Sequence, residues 1–245
     1  MDFTFGIITD GNNDFYINKI IESIERNNIP VYEIIIIGNS KITPTPYIKI
    51  IEFCETDKPM WITRKKNIII ENAKYDNICF LHDYVKLNDE WYSGFLEFGN
   101  NYEWCVTKIM DINGTRFRDY TLFPYKVDYL NIDYSPGEDI HPYFEYNCLL
   151  PYNFINNKKV NKYMYISGTY FIMKRHIALA NKLDELLVHS RGEDAELSKR
   201  LHSNNILIKC NKYSSVSFLK EKGKAPFENE MSDEAIEFLN QWSNS

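Results

Sequence analysis

The chain is poor in the residues that several function classes require. Only ten of its 245 residues are glycine, and neither G-x-G-x-x-G nor G-x-x-x-x-G-K-[ST] occurs. A Gly-rich loop that cradles phosphate is therefore excluded. Cysteine is scarce too. Cys54, Cys79, Cys105, Cys148 and Cys210 make an odd set of five with no C-x-x-C pair. That rules out a complete disulfide framework and predicts reduced, buried thiols. No apolar run approaches the roughly 18 residues of a membrane helix. Met1-Asp2-Phe3 lacks the basic start of a signal peptide, so the expectation is a soluble, cytoplasmic protein. Positive charge is not in excess either. Lys and Arg number 28 against 34 Asp and Glu, a formal net charge of −6, the wrong sign for a nucleic-acid binder. His82, His141, His176, His189 and His202 are too scattered to build a zinc site by spacing, and His141 reads as a satisfied loop histidine.

What is present suits a large folded core: 44% hydrophobic and 15% aromatic residues with 25% charged. Residues 3–9 predict a short buried strand that ends in the turn cluster Asp10-Gly11-Asn12-Asn13. Ile17, Ile20, Ile21 and Ile24 recur at helical spacing, with Asn13 or Asp14 placed to cap. Ile34 to Ile37 form a continuous β-branched run, as in a parallel strand buried on both faces. Strand, helix and strand make a βαβ unit. The alternation continues with a strand over 48–53, a helix from Thr63 as cap to about residue 73, and a strand over 78–81. Open α/β sheets bind ligands at the carboxyl ends of their strands, and these ends carry Thr9-Asp10, Asn39-Ser40 and His82-Asp83. The second half predicts a hairpin over 103–119, turning at Asn113-Gly114. A Tyr-, Pro- and Asn-rich insertion follows over 120–162, then a strand over 163–173. Helices over 175–187 and 192–202, a strand over 206–210 and a tail helix over 232–242 complete the chain. In the helix over 192–202, Asp194, Leu197, Ser198 and Leu201 share one stripe, which turns Asp194 inward, while Glu196 and Arg200 form an exposed pair four residues apart.

Three segments carry a resemblance. Ile62-Thr63-Arg64-Lys65-Lys66-Asn67 leads by a helix into Asn77-Ile78-Cys79-Phe80-Leu81-His82-Asp83-Tyr84. Ile166-Ser167-Gly168-Thr169-Tyr170 comes next, and Gly192-Glu193-Asp194 runs into Leu197-Ser198-Lys199-Arg200-Leu201. In order and separation, over about residues 3–220, they resemble family 2 glycosyltransferases of the GT-A fold. The likeness is to that family's A-R-N helix, D-x-D strand, Gly-containing acceptor strand and E-D-x-x-L-x-x-R-L helix.

The resemblance implies an α/β, Rossmann-type mixed sheet, mainly parallel and flanked by helices. It implies one domain over 1–245: a nucleotide-sugar half over 1–100, an acceptor half over 101–220 holding the insertion, and a tail over 221–245. The activity implied is inverting transfer of a hexosyl unit from a UDP- or GDP-linked sugar to a hydroxyl of a glycan, a lipid-linked sugar or a protein. Such chemistry needs a base for the acceptor hydroxyl and a cation for the leaving diphosphate. Asp194 takes the place of the base, with Glu193 beside it for the acceptor or the loop. Thr9, Asp10, Asn39, Arg64, Lys66, Asn67, His82 and Asp83 take the donor side. Gly168, Thr169 and Trp104 take the acceptor side, with Tyr143, Tyr146 and Tyr152 as further aromatic surface for a sugar. Mn²⁺ or Mg²⁺ would sit on Asp83 and His82. The chain departs from the pattern in placing His82 and Tyr84 around Asp83, and in having no late metal-binding histidine in residues 214–218, which leaves a weakly bound metal, or a metal-independent mechanism using Lys and Arg, as alternatives. A non-catalytic glycan- or nucleotide-binding module is the alternative. Nucleotidyl transfer ranks lower, because Asp10-Gly11-Asn12-Asn13 contains no basic residue.

Overall fold

Apolar runs without polar alternation must be covered on both faces, and residues 34–37 and 78–81 are two of them. The computed structural model describes residues 1–56, 58–122, 148–222 and 229–244. Strand β1 (Asp2–Ile8) leads through helix α1 (Asp14–Arg26) to β2 (Val31–Ile37) and β3 (Ile48–Ile51). Helix α2 (Ile62–Asn72) then leads to β4 (Asn77–His82). These strands pair in parallel in the order β3-β2-β1-β4. Ile8 stands opposite Ile37 on one side and His82 on the other, so three carboxyl ends are level. Helix α1 buries Ile17, Ile20, Ile21 and Ile24, the stripe its spacing predicts.

Next come β5 (Val85–Leu87), α3 (Trp91–Phe98), β6 (Trp104–Met110), β7 (Arg116–Phe117), β8 (Tyr120–Leu122), β9 (Cys148–Leu149) and α4 (Lys158–Asn161). The chain ends with β10 (Met164–Ile166), β11 (Tyr170–Lys174), α5 (Arg175–Ala180), α6 (Glu193–Ser203), β12 (Lys209–Phe218), β13 (Asn229–Glu230) and α7 (Asp233–Asn244). The parallel strands extend into a mixed nine-stranded sheet, β3-β2-β1-β4-β11-β6-β12-β5, with β7 paired to β6. A second sheet runs β10-β8-β9-β13. One face of the large sheet packs Phe3, Phe5, Trp91 and Phe95 with helix α1. The other packs Ile35, Phe80, Trp104 and Phe171 with Leu197 and Leu201 of α6 and Leu239 of α7. Among the described residues no helix is long and apolar enough to cross a membrane. Cys79 and Cys105 are buried free thiols, as expected, whereas Cys54 is exposed.

Several expected elements differ for identifiable reasons. The strand expected over 163–173 is two strands, β10 and β11, in two different sheets. The break falls at Ser167-Gly168-Thr169, where Ser167 N makes the last bond along β8, to the Asp119 carbonyl at 3.0 Å, and Gly168 N turns to Asp194 Oδ2. The helix expected over 175–187 stops at Ala180, because Leu183 N turns aside to Asn67 Oδ1 at 2.9 Å. Thr63 does not cap α2; its hydroxyl donates to the Leu187 carbonyl at 2.7 Å. The last strand of the large sheet begins at Lys209 rather than 206, since Asn161 occupies both backbone groups of Ile208. The hairpin at Asn113-Gly114 is present, with Asp111 Oδ1 accepting from Asn113 N and Thr115 N.

Candidate functional site

The level strand ends open onto a cleft of about 460 Å³ lined by Thr9, Asp10, His82 and Asp83, among others. Its floor is a small hydrogen-bond net. Asp83 Oδ2 accepts from Thr9 Oγ1 at 2.7 Å and from Asn13 Nδ2 at 2.9 Å. Asn13 thus sits at the start of α1 but spends its side chain on the cleft rather than on a helix cap. Lys65 Nζ donates to the Thr9 carbonyl at 2.8 Å and pairs with Glu55. The turn after β2 can approach only because residue 38 is glycine. Its φ is +140°, and a Cβ there would stand 2.2 Å from the Thr9 carbonyl oxygen. β4 ends at His82, which frees His82 and Asp83 to line the cleft together. His82 N donates to the Thr169 carbonyl at 3.1 Å. Burial first, then Lys66 and Lys222, push the His82 imidazole well below its ordinary range, so it is neutral at pH 7. Its Nε2 is buried with no partner among the described residues.

The turn between β10 and β11 lies next to the cleft rather than in its lining, joined to it where Thr169 meets His82 and Lys222, and links it to a pair of carboxyl groups. Gly168 N donates to Asp194 Oδ2 at 3.0 Å, and Lys66 Nζ donates to the Gly168 carbonyl at 2.6 Å. A Cβ on residue 168 would lie 3.3 Å from Asp194 Cβ and 3.5 Å from Glu193 Oε1. Asp194 Oδ1 accepts from Ala195 N at 2.9 Å, and the Arg118 guanidinium lies 3.6 Å from Oδ2. Asp194 therefore turns inward at the first turn of α6, as its stripe predicts, and Glu196 binds Arg200 at 2.6 Å on the flank. Lys66 is 1% exposed. Burial lowers its pKa, while Glu193 and Asp194 act to raise it.

Glu193 has one carboxyl oxygen, Oε2, buried with no partner among the described residues. Burial first, then Asp194, raise its carboxyl from an ordinary value near 4.5 to about 7. Between those values this carboxyl holds more protons in the native state than in the unfolded chain, so its contribution to stability falls as pH rises through the window. Glu193 alone contributes a loss on the order of 3 kcal/mol between pH 4.5 and 7, against the opposite contribution of the buried His202, so the expected signal is the difference between the wild type and Glu193→Gln. Urea unfolding of both proteins across that range measures the slope.

Not every residue singled out by sequence reaches the cleft. Arg64 binds Glu71 and Glu185, and Asn67 holds Leu183 and Glu185, so both fasten the segment after α5. Lys66 lies beneath the turn rather than facing a diphosphate. Asn39 is exposed at the end of β2, outside the cleft lining. Trp104 is 0% exposed within the core and offers no face to an acceptor. Tyr152 gives its hydroxyl to Asp119 at 2.6 Å and its ring to Arg116. His141, Tyr143 and Tyr146 lie outside the described residues. Tyr84, Arg118, His189, Lys220 and Lys222 were missed. Only the Lys-x-Lys spacing just past a strand could have flagged the last two.

The site was tested for the implied metal on its donors. Among the described residues no group of three or more His, Cys, Asp or Glu side chains could hold a metal ion. Mg²⁺ and Mn²⁺ favour octahedral oxygen sets. Of the carboxylates and imidazoles that line the cleft, Asp83 is already bound by Thr9 and Asn13 and Glu55 is paired with Lys65, no three of them gather into a ligand set, and Lys65, Lys220 and Lys222 line the same space. This donor set does not fit a resident Mn²⁺ or Mg²⁺ on His82 and Asp83.

No protein-family model matches the chain, and no curated protein matches it by sequence. Solved structures do. GalNAc-T7 with UDP, GalNAc and Mn²⁺ is similar over 98% of this chain and 48% of its own, with a TM-score of 0.62 and 11% identity. S. aureus TarS 1-349 in complex with UDP-GlcNAc is similar over 98% of this chain and 65% of its own, with a TM-score of 0.53 and 14% identity. The same TarS fragment with UDP gives a TM-score of 0.53 at 14% identity, over 89% of this chain and 60% of that one. The chain thus spans about half the length of GalNAc-T7 and less than two thirds of TarS 1-349. Both are GT-A fold glycosyltransferases. With its helix-flanked mixed sheet and its cleft at the carboxyl ends of parallel strands, this chain has a GT-A-like fold.

Proposed function

We propose that the protein is a nucleotide-sugar-dependent glycosyltransferase that moves a hexosyl unit, with inversion, onto a hydroxyl of a glycan, a lipid-linked sugar or a protein. One observation carries this reading. A single turn, Ser167-Gly168-Thr169, has the strand-end cleft on one side and the Glu193–Asp194 pair on the other. A donor in the cleft would meet Thr9 and Asp10 at the end of β1, with its anomeric carbon toward Gly168 and Thr169. Asp194 then takes the proton of the acceptor hydroxyl as that oxygen attacks, while the bond from the anomeric carbon to the diphosphate breaks. The Gly168 amide and Arg118 orient the Asp194 carboxylate, and Glu193 lines the acceptor side. A UDP-linked donor is favoured over a GDP-linked one, because the structurally similar GalNAc-T7 and TarS were crystallised with UDP or UDP-GlcNAc.

Thermal unfolding with UDP-, GDP-, dTDP- and CMP-sugars tests the reading. A ligand at 100 times its Kd adds about 2.7 kcal/mol of stability. A rise in Tm with one nucleotide class, followed by transfer from that donor, is the expected result. No rise with any donor would leave the non-catalytic glycan-binding module in its place.

A further inference from the structure

The segment after β12 brings two lysines to the cleft. β12 ends at Phe218, and Leu219 N donates to the Tyr84 carbonyl at 2.8 Å, which pins the following residues along Tyr84. Lys220 Nζ lies 4.6 Å from the centre of the Tyr84 ring, and Lys222 Nζ lies 5.4 Å from it. Lys222 also donates to Thr169 Oγ1 at 2.9 Å, on the turn that faces Asp194. Both lysines are half-buried and line the cleft beside His82 and Asp83, whereas Glu221 between them is exposed. Among the described residues Lys220 has no carboxylate within ion-pair distance. Two ammonium groups on one aromatic ring at the edge of the cleft make a positive locus that attracts an anion entering the cleft.

We infer that Lys220 and Lys222, carried on Tyr84, bind the donor diphosphate and take up its leaving charge in place of a divalent metal. The inference rests on the transferase reading above. When the bond from the anomeric carbon to the phosphate oxygen breaks, its electron pair stays on that oxygen. The acceptor proton goes to Asp194, and the new negative charge falls beside two fixed ammonium groups. Lysine binds phosphate as a point charge and is most effective where water is partly excluded. The position of Tyr84 gives the sequence departure a meaning. A carboxylate there would recruit a metal, whereas an aromatic face recruits ammonium groups.

Calorimetric titration of the full chain with UDP, in EDTA and in Mn²⁺, tests this, with uridine as the probe that lacks phosphate. UDP is expected to bind in EDTA, with its Kd changed less than about threefold by Mn²⁺. Lys220→Ala and Lys222→Ala should each weaken UDP about tenfold and leave uridine unchanged. Lys222→Arg should recover most of the loss, and Tyr84→Leu should weaken UDP as the lysine variants do. Unliganded Tm values identify any variant that fails to fold, and the Arg variant then decides. Binding of UDP only with Mn²⁺, or lysine variants that bind UDP like the wild type, would overturn the lysine role and leave the transferase reading standing. Failure of UDP, GDP, dTDP and CMP alike in both buffers would instead remove the transferase reading, and this inference with it.

Discussion

Asp194→Asn is expected to abolish transfer while donor binding survives. The amide keeps the shape of the carboxylate, and its oxygen can still accept from Gly168 N, which lies 3.0 Å from Oδ2 in the native protein. It cannot take a proton from an acceptor hydroxyl. Loss of a positioned general base costs about 10²–10⁴-fold in kcat. The Asn variant also loses the ion pair with Arg118, so the turn could shift; the Tm rise with donor controls for that. Full turnover with an intact donor response would remove Asp194 from the role. Glu193→Gln is the informative companion. Its carboxyl, lifted to about 7, has the proton affinity of a useful base, but it is 7% exposed and lies beneath Gly168. A larger loss in Glu193→Gln than in Asp194→Asn would exchange the two assignments.

Asp119→Ala is expected to be among the most destabilising single changes. Asp119 is 0% exposed and receives Arg116 Nη2 at 2.7 Å, Tyr152 Oη at 2.6 Å and its neighbour's amide, Tyr120 N, at 2.8 Å. Arg116 is enclosed by the rings of Tyr152 and Tyr120, 4.0 and 5.2 Å from its guanidinium carbon. Removing the carboxylate strands that guanidinium between aromatic rings, and breaking a buried pair in this way costs about 3–5 kcal/mol. The damage extends to the site, because the Asp119 carbonyl receives Ser167 N and Arg118 next to it reaches Asp194. Urea unfolding measures the cost. A loss below about 1 kcal/mol would show that the network is solvated, as surface ion pairs are. Arg116→Met combined with Asp119→Ala should recover part of the loss, since no unpaired charge then remains.

The parallel half of the sheet was legible because its strands are buried on both faces. Ile34 to Ile37 had no polar residue to argue for a solvent face, and the polar His82-Asp83 pair marked where β4 must stop. The inward turn of Asp194 followed from helical geometry alone. What escaped was decided by tertiary partners. Residues 163–173 read as one apolar strand, and nothing local says that Gly168 N will turn to Asp194 and divide the run between two sheets. Trp104 has the same composition signature on a sugar platform as in a core, and only packing placed it in the core. Lys66 reads as a phosphate ligand because charge is visible in a sequence while burial is not. Lys220 and Lys222 sit where the chain leaves its last strand, with no motif to mark them, and the Leu219 to Tyr84 bond brings them to the cleft.

The smaller sheet has a consequence for how the protein is made. Its last strand, β13, lies parallel to β9, with Asn229 opposite Cys148, and helix α7 behind it plants Ala235 and Leu239 in the interior. On a ribosome, domains fold from the first residues onward. The strands β1 to β4 can meet once residues 2–82 have emerged, since their partners all lie within that span. The sheet that carries β10 gains its edge only when residues 229–244 are out of the exit tunnel. A nascent chain would thus hold a finished cleft floor beside a wall still waiting for its edge, and the emergence of residues 229–244 would bring the two into register.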